Sequence, residues 1–336
     1  MIRVSVPLGE RSYEVVIGRG ATSELATLLP DSVRKVAIVT QEPVGVEVQS
    51  GREQFTFVVP DGEAAKTTAV VEDLCRQFAR FGLRRADAVL GVGGGAVTDV
   101  AGFAASVYMR GVPVAHVATT LLAQIDAAIG GKTGVDLPEG KNLVGSFWQP
   151  VGVICDIDTL STLPPRERRA GMGEMAKYAF LGAPDLGRLP LEEQVAACVA
   201  LKADVVSSDE RESGRRAVLN YGHTLAHALE TAGHYDLLHG EAVGIGLCYA
   251  ARLAERLGRI DAGRVDDHDR LVSGFDLPTR VPPGSAVDEL ITLMLRDKKV
   301  VDGLTFVLDG PNGVEAVPGV DPELAAATLI EMGATP

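Results

Sequence analysis

Hydrophobic and polar positions follow two periods along the first half of the chain. Two segments of alternating character, Arg3–Pro7 and Ser12–Ile17, flank a turn at Gly9 and predict an opening β-hairpin. Apolar runs then alternate with segments of helical period, most clearly at Thr68–Phe81 and Val97–Tyr108. The runs predict strands at Lys35–Thr40, Gln54–Val59, Asp87–Val92 and Val112–Thr119. Strands that alternate with helices predict a parallel sheet with helices on both of its faces.

From about Thr162 the period becomes mostly helical. Helices are predicted at Arg166–Phe180, Glu192–Ser207, Val218–Ala232, Glu241–Leu257 and Val287–Leu295. A late hairpin is predicted at Thr305–Leu308 and Val314–Val317, with its turn at residues 310–313. We therefore expect an α/β protein of two tightly packed domains, a Rossmann-like one over residues 1–161 and a mainly α-helical one over residues 162–336. The ligand site is expected in the cleft between them.

Length and composition narrow the class of protein. A chain of 336 residues exceeds the usual size of a single core, and 46% hydrophobic with 23% charged residues is typical of a globular protein. The net charge of −13 argues against nucleic acid or an anionic membrane as partner. The N-terminus has no signal-peptide pattern and no segment is apolar enough to span a membrane. The four cysteines have no metal-binding spacing, so we expect a cytoplasmic protein whose cysteines are small buried hydrophobes.

A glycine-rich segment follows the predicted strand Asp87–Val92. Gly91, Gly93 and Ala96 fit a G-x-G-x-x-A spacing, in which the backbone can approach a pyrophosphate at the start of the next helix. Glycine turns also close many strand–helix units that bind nothing. Upstream, Asp61 and Glu63 offer carboxylates for ribose hydroxyls, although a polar helix start explains them equally well.

Histidines are concentrated in one short region that suggests a metal site. The chain has six histidines, and four of them lie between His223 and His239. The residues Asn220, His223, His227 and Glu230 share one face of a predicted helix. Spacing alone allows His223 and His227 to be joint ligands, but Thr224 stands where a zinc protease has its glutamate base. A carboxylate must come from elsewhere, and Glu174, on a helical face shared with Lys177, is the best source.

Cations are clustered in a chain that is otherwise acidic. Lys132, Lys141 and Asn142 lie on glycine-rich backbone, close to Asp126. Arg110, Arg216, Lys298 and Lys299 are further candidates to join them. Each alone is explained by ordinary solvation, but the set favours recognition of a phosphate or carboxylate.

The ordered motifs resemble those of the 3-dehydroquinate synthase family, within the sugar-phosphate cyclase superfamily. The resemblance rests on residues 93–99, 108–111, 119–124, 130–134, 141–142, 171–177, 219–224 and 239–243, and it runs from the opening hairpin to residues 296–299. Three departures stand out: Gly173 replaces the usual alanine, residues 182–191 form a short segment, and Gln41-Glu42-Pro43 replaces a loop that contacts the adenosine side of NAD.

The resemblance implies one zinc ion (cobalt being an alternative), one NAD and a sugar-phosphate substrate. It implies zinc ligation by Glu174, His223 and His239. It implies substrate contacts or catalytic roles for Asp126, Lys132, Lys141, Asn142, Lys177, Arg216, Asn220, His227 and one of Lys298 and Lys299. It implies cofactor contacts at Asp61, Glu63, Lys66, Gly93, Gly94, Gly95, Ala96, Val97, Thr98, Asp99, Thr119, Thr120, Lys132, Lys141, Thr159, Leu160, Ser161 and Thr162. Arg110 would reach a neighbouring subunit, which implies a homodimer.

The implied reaction converts 3-deoxy-D-arabino-heptulosonate 7-phosphate to 3-dehydroquinate and phosphate, in the shikimate pathway of aromatic amino acid biosynthesis. Oxidation, β-elimination of phosphate, reduction and an intramolecular aldol reaction follow one another, and NAD is regenerated. An aminodehydroquinate synthase or another sugar-phosphate cyclase is the close alternative. Residues 130–134 and 141–142 resemble the dehydroquinate branch rather than the valiolone or inosose branches, but they leave an aminated substrate open. A metal-dependent alcohol dehydrogenase is a more distant one and would not need the lysine cluster. An inactive paralogue is disfavoured because every motif position is filled.

Overall fold

The computed structural model describes residues 1–233, 236–295 and 304–336. Its strands are β1 (Ile2–Val6), β2 (Tyr13–Gly18), β3 (Lys35–Gln41), β4 (Glu53–Val59), β5 (Ala88–Gly93), β6 (Val114–Ala118), β7 (Lys132–Leu137), β8 (Gly140–Phe147), β9 (Gly152–Asp156), β10 (Leu304–Leu308) and β11 (Glu315–Val320). Its α-helices are α1 (Leu25–Leu28), α2 (Thr68–Phe81), α3 (Gly95–Val107), α4 (Pro165–Leu181), α5 (Leu191–Ser208), α6 (His223–Ala232), α7 (His239–Arg256), α8 (Ala262–Gly274), α9 (Val287–Leu295) and α10 (Pro322–Glu331).

A seven-stranded sheet organises the first part of the chain, in the order β1-β2-β9-β6-β5-β3-β4. The opening hairpin β1–β2 is antiparallel, and every other neighbouring pair in this sheet is parallel. Since parallel strands need crossover connections, helices such as α2 and α3 return the chain across the sheet. The carboxyl ends of β3, β4, β5, β6 and β9 therefore lie at one edge, where ligands bind in folds of this type.

Both faces of the sheet are buried at its inner strands β3, β5, β6 and β9, which explains why these strands are largely apolar runs. In β3, Val36 and Ile38 belong to the core on one face, whereas Ala37 and Val39 belong to the core on the other. The alternation follows from the two-residue period of a strand. The predicted α/β class, with a parallel sheet covered on both sides followed by a mainly helical region, is confirmed.

The described residues form two compact units. Unit 1 comprises Met1–Leu163 and Arg188–Arg211, and unit 2 comprises Pro164–Gly187 and Glu212–Pro336. A single boundary after residue 161 was predicted, so the assignment of residues 188–211 to the second domain is corrected. The reason is helix α5, which packs against β1, β2 and the π-helical turn Ala123–Ala127 of unit 1.

Unit 2 is built around α7, which is buried over most of its length. Helices α4, α6, α8 and α10 pack against it, as does strand β10.

The cysteines are mostly enclosed in the fold. Cys155, Cys198 and Cys248 are buried, and Cys75 is partly buried. Among the described residues, no helix combines the length and the apolar composition that crossing a membrane requires.

One predicted helix is shorter than expected. A helix over Val218–Ala232 was predicted, but α6 begins at His223. Residues Arg215–Asn220 form a 3₁₀ helix, and Gly222 has a φ of 81°, in the left-handed region where glycine is favoured. His223 is therefore the first residue of a new helix, which fixes the direction of its side chain.

A buried histidine in unit 2 gives the fold a pH dependence. His268, on α8, is fully buried and stacks on Phe180 with ring centres 3.6 Å apart. Its Nδ1 donates to the carbonyl oxygen of Arg264 at 2.8 Å, because a carbonyl can only accept. Its Nε2 consequently accepts from the hydroxyl of Tyr221, also at 2.8 Å. Burial lowers the pKa of His268 to about 4.

We expect acid to destabilise the fold through His268. The unfolded chain takes up a proton here below about pH 6.5, whereas the folded protein does so only near pH 4, so stability is lost as the pH falls between these values. When the pH falls from about 7 to about 5, protonation at this position should lower the free energy of unfolding by roughly 2 kcal/mol. Urea unfolding of the His268→Gln variant should show a loss smaller by about this amount than that of the wild type. Equal losses in the two proteins would contradict the assignment.

Candidate metal and cofactor sites

Three potential metal ligands meet in unit 2. Glu174 lies in α4, and His223 and His239 are the first residues of α6 and α7. The Nε2 atoms of the two histidines each lie 3.1 Å from Oε1 of Glu174, and one ligand atom from each of the three residues falls within 4.8 Å of the others. Two imidazoles and one carboxylate leave a further coordination position for water or substrate, as in catalytic zinc sites. The structure therefore brings together the three residues implied as ligands.

The separations suit a small divalent ion. Zinc–nitrogen and zinc–oxygen bonds of about 2.0–2.2 Å in a tetrahedron place ligand atoms roughly 3.3–3.5 Å apart. The observed 3.1 Å between Glu174 Oε1 and each histidine nitrogen is close to that value. Glu174 is completely buried, and a buried carboxylate requires cations around it. The donor set and the burial both fit a bound metal.

Charge at the site is balanced by neighbours on the same helices. The Nζ atom of Lys177, one turn further along α4, lies 2.5 Å from Oε2 of Glu174. Burial favours the protonated acid, but Lys177 and His223 outweigh it and hold the pKa of Glu174 well below its usual value. Burial also lowers the pKa of His239, yet its hydrogen bonds to Glu174 and Glu230 raise it to about 10. Glu174 is thus an anion at neutral pH and available as a ligand.

Close helix contacts set the positions of the ligands. A Cβ atom at Gly173 would lie 2.0 Å from the carbonyl oxygen of Gly240, and one at Gly240 would lie 1.6 Å from that of Ala170. A Cβ atom at Gly246 would lie 1.9 Å from the carbonyl oxygen of Gly222. The backbones of α4 and of the turn before α6 therefore touch the backbone of α7 at glycines. Because Gly173, Gly222 and Gly240 are each next to one of the three ligands, these contacts fix the distances between the ligands.

The histidine spacing left His223 and His227 open as joint ligands, and the geometry separates them. His227 is exposed, and its ring centre lies 5.5 Å from that of His223 and 6.2 Å from that of His239. It does not belong to the group of converging ligand atoms found among the described residues. His227 therefore borders the candidate metal site without belonging to the group of converging ligand atoms.

Most of the predicted cofactor residues of unit 1 lie at or just after the carboxyl ends of parallel strands, whereas Lys132 and Lys141 lie on the antiparallel hairpin β7–β8. Asp61, Glu63 and Lys66 follow β4, residues 94–99 follow β5, Thr119 and Thr120 follow β6, and residues 159–162 follow β9. Gln124 joins two of these ends, since its Nε2 donates to the carbonyl oxygens of Ala118 and Asp156 at 3.1 and 2.9 Å. Sequence segments up to about a hundred residues apart thereby share one edge of the sheet.

The glycine loop after β5 fits an anionic group. Gly94 is the N-cap of α3 and makes no side-chain capping hydrogen bond, so the first amides of a 13-residue helix have no side-chain acceptor there. A Cβ atom at Gly93 would lie 2.6 Å from Val97, and one at Gly94 would lie 2.9 Å from Thr120. The backbone is therefore packed too closely for larger residues, and its amides offer the donors and positive dipole end that a pyrophosphate requires.

A charged network borders this loop. Lys66 is 4% exposed, and its Nζ atom lies 2.7 Å from Oδ2 of Asp99 and within hydrogen-bond distance of Asn142. Lys141, on β8, pairs with Glu63 at 3.1 Å. Burial raises the pKa of Asp99 to about 6, although the pairing with Lys66 opposes this shift. The predicted cofactor residues on the β4–α2 loop and the lysine and asparagine of the β7–β8 hairpin thus form one cluster.

The segment Gln41-Glu42-Pro43, which departs from the family pattern, has a structural role through Gln41. Gln41 is buried, and its Nε2 donates to the carbonyl oxygens of Pro60 and Gly62 at 2.7 and 3.0 Å. Asp61 caps the following 3₁₀ turn by accepting from the amide of Gly62 at 2.8 Å. Gln41 therefore holds the loop that carries Asp61 and Glu63 against the end of β3.

The predicted substrate residues are distributed over both units. Unit 1 contains Arg110, Asp126, Lys132, Lys141 and Asn142, and unit 2 contains Lys177, Arg216, Asn220 and His227. Lys177 and Arg216 are 1% exposed, which is rare for cations and shows that each is enclosed by protein. Asn220 donates to Oε1 of Glu212 at 2.7 Å. Lys298 and Lys299 lie outside the described residues.

Sequence analysis missed Lys202. This lysine of α5 is 5% exposed, and its Nζ atom lies 2.5 Å from Oδ1 and 2.6 Å from the carbonyl oxygen of Asp126. It lies on the buried face of the helix with Val195, Cys198 and Val199. The helical pattern could have revealed this residue, because a lysine on the apolar face of an amphipathic helix is expected to be buried. Its contact with Asp126, a predicted substrate residue, adds Lys202 to the cation cluster.

Solved structures define the class of protein. A 2-deoxy-scyllo-inosose synthase, complexed with carbaglucose-6-phosphate, NAD+ and Co2+, is similar over 98% of this chain and 100% of its own, with a TM-score of 0.87 and 26% identity. The 2-epi-5-epi-valiolone synthase ValA from Streptomyces hygroscopicus, with NAD+ and Zn2+ bound, covers 98% of this chain and 99% of its own, with a TM-score of 0.84 and 26% identity. The fold is that of the sugar-phosphate cyclases.

Sequence relatives identify the family within this class. Residues 56–170 match the family described as 3-dehydroquinate synthase N-terminal, and residues 171–300 match 3-dehydroquinate synthase C-terminal. A 3-dehydroquinate synthase of Geobacter metallireducens is 42% identical over 94% of both chains. A protein of Amycolatopsis mediterranei, provisionally named aminodehydroquinate synthase, is 48% identical over 98% of this chain and 95% of its own. The chain belongs to the 3-dehydroquinate synthase family and is an enzyme of its cyclising phosphate lyase class.

Proposed function

We propose that this enzyme converts 3-deoxy-D-arabino-heptulosonate 7-phosphate to 3-dehydroquinate and phosphate. The observation that carries the proposal is the convergence of Glu174, His223 and His239, with Lys177 in contact with the carboxylate. The cluster of cofactor-loop residues and cations in unit 1 supports it further. Relatives named 3-dehydroquinate synthase at 42% identity support the choice of substrate.

The metal site is proposed to hold a divalent ion, with zinc preferred. When bound, such an ion polarises a carbinol oxygen so that its proton leaves at neutral pH. Glu174, His223 and His239 are the residues that would hold it, and Lys177 keeps Glu174 ionised. Lys177 is also enclosed, so its charge acts on a neighbouring substrate oxygen with little screening by water.

The carboxyl edge of the sheet is proposed to hold NAD. When bound, NAD supplies the oxidant for the first step, and its reduced form supplies the reductant for a later step on the same substrate. The amides at the start of α3 would bind the pyrophosphate, Asp61 and Glu63 would accept from ribose hydroxyls, and Lys66 would keep Asp99 in place. The residues Gly93, Ala96, Val97, Thr98, Thr119, Thr120, Thr159, Leu160, Ser161 and Thr162 complete the proposed contacts.

The cations are proposed to bind the phosphate and carboxylate of the substrate. Lys132, Lys141 and Asn142 lie on one hairpin, β7–β8, and Lys202 fixes the orientation of Asp126. Fixed donors of this kind lower the barrier to elimination, because they stabilise charge on the departing phosphate without reorganising. Buried Arg216, together with Asn220 and His227, provides further donors from unit 2.

Arg110 is proposed to act in a homodimer, at the site of a neighbouring subunit. It is exposed, and it follows Met109 in a turn where both residues have a positive φ, 50° for Met109 and 66° for Arg110. Two consecutive non-glycine residues in the left-handed region are strained, and strain of this kind is concentrated at functional sites. Because Arg110 is exposed in this turn, its side chain is accessible to a neighbouring subunit.

A second candidate substrate is the aminated analogue, in which an amino group replaces a hydroxyl. The 48% identity to the Amycolatopsis protein, over 98% of the chain, favours it. A protonated amino group needs hydrogen-bond acceptors from the protein, whereas a hydroxyl at the same position can also accept from donors. The charge of the protein groups around that position therefore distinguishes the two substrates.

Phosphate release from the two substrates separates these functions. The purified enzyme with zinc and NAD should release phosphate from the hydroxylated heptulosonate phosphate with a kcat/KM at least about a hundredfold above that for the aminated one. The reverse preference would assign the enzyme to aminodehydroquinate synthesis. Release from neither would refute both proposals.

A further inference from the structure

Glu230 is a buried carboxylate that the proposed function leaves without a role. It lies in α6, two turns after His223 and on the same face of the helix. Only 4% of its surface is exposed, and most of its neighbours on this helix are apolar, so their side chains offer its carboxylate no hydrogen bonds. Burying a carboxylate costs free energy unless charged or hydrogen-bonding groups meet it. Its position next to the metal ligands indicates which groups those are.

His239 has a carboxylate on each side of its ring. Its Nε2 lies 3.1 Å from Oε1 of Glu174, and its Nδ1 lies 3.2 Å from Oε2 of Glu230. A histidine that binds a metal through Nε2 must carry its proton on Nδ1. The carboxylate of Glu230 can only accept when ionised, so its hydrogen bond selects this tautomer.

The other histidine is fixed in a different way. His223 directs its Nδ1 to the backbone carbonyl oxygen of Tyr221 at 3.1 Å, so its Nε2 also faces Glu174. A neutral carbonyl orients the ring but adds no charge. A carboxylate draws the Nδ1 proton more strongly and so makes Nε2 a better electron donor. The two ligands are thus oriented alike but supported unequally.

We propose that Glu230 is a positioning residue that orients His239 and strengthens its bond to the metal. The inference rests on the proposed metal site and deepens it. The hydrogen bond crosses between α6 and α7, so it also fixes the rotation of the His239 ring relative to the helix that carries His223. Carboxylates that support metal-bound histidines in this way typically change metal affinity by 10- to 100-fold when they are removed.

The test is the affinity of the full-length protein for Co²⁺, measured by chelator competition. Glu230→Ala should weaken binding by about 10- to 100-fold. Glu230→Gln keeps an oxygen acceptor but loses the charge, so its affinity should fall between those of the wild type and the alanine variant. The visible ligand-field bands of bound Co²⁺ should shift in both variants, which a role in stability alone would not cause. Asp269→Asn is the matched control, because Asp269 pairs with Arg252 in the same unit, away from the ligands.

The outcomes separate this inference from the proposed function. Wild-type affinity and unshifted bands in both Glu230 variants would overturn the inference and leave the metal site standing. An equal loss of affinity in Asp269→Asn would also overturn it, since the effect would then be one of stability. A wild-type protein that binds no Co²⁺ would refute the metal site and the inference together. If Glu230→Ala does not fold, the reduced affinity and the shifted bands of Glu230→Gln decide the question.

Discussion

Replacing His239 with alanine is expected to remove the bound divalent metal and to abolish turnover with it. Only two of the three converging ligands, Glu174 and His223, would remain, and two protein ligands seldom hold zinc in a catalytic site. Loss of the metal removes several kcal/mol of stabilisation from the transition state, so kcat should fall by at least about a thousandfold. Metal content after dialysis and phosphate release by the same preparation measure the two effects.

His227→Ala is the matched control for metal retention. It removes an imidazole from the same helix as His223, but from an exposed position outside the converging group. The variant should keep its metal whatever its turnover. If His239→Ala retains stoichiometric metal, or if His227→Ala loses it, the ligand assignment is wrong.

Gly240→Ala is expected to have the largest effect on stability. The new Cβ would lie 1.6 Å from the carbonyl oxygen of Ala170, so the backbones of α4 and α7 would have to separate by more than 1 Å. Forcing apart a packed core of this kind costs about 3 kcal/mol or more. The metal site should loosen as well, because His239 precedes this glycine and Glu174 lies across the contact in α4.

Gly274→Ala provides the comparison, since Gly274 ends α8 and a Cβ there would meet nothing within 4 Å. It should change the unfolding free energy by less than about 1 kcal/mol, towards stabilisation if it changes it at all. Urea unfolding and metal titration of both variants give the measurements. A Gly240→Ala protein with wild-type stability would show that α4 and α7 are not in backbone contact.

Elements with strong local signals could be predicted from the sequence. Helix α2 has the predicted bounds because Thr67 caps its start and Gly82, with a φ of 74°, ends it. The inner strands β3, β5 and β6 were predicted because residues on both of their faces are buried, which makes them continuous apolar runs. In both cases the cause of the structure lies within the segment itself.

Elements that depend on distant contacts could not be predicted. Strands β7 and β8 were not predicted, and their residues were described only as glycine-rich backbone that carries cations, because the glycines hide the alternation that tertiary pairing produces. Strand β9 is only five residues long, and helices α8 and α10 also went unpredicted. Each of these elements is defined by what it packs against, which local periodicity does not report.

In the candidate site, the metal ligands were predicted, whereas contacts between distant residues were not. The histidine cluster and the family motifs indicated Glu174, His223 and His239, which the structure brings together. Lys202 and the contact between Glu230 and His239 were missed, because each depends on one contact with a residue far away in the sequence or on another helix. The predicted cofactor and substrate roles themselves remain proposals that the experiments above address.

The most direct test of the cyclase account follows phosphate and reduced nicotinamide in the same reaction. The purified enzyme, with zinc, NAD and the heptulosonate phosphate, should release phosphate in step with substrate consumption while NADH does not accumulate, since the cofactor is regenerated in each turnover. Steady accumulation of NADH without phosphate would instead identify a dehydrogenase and contradict the account.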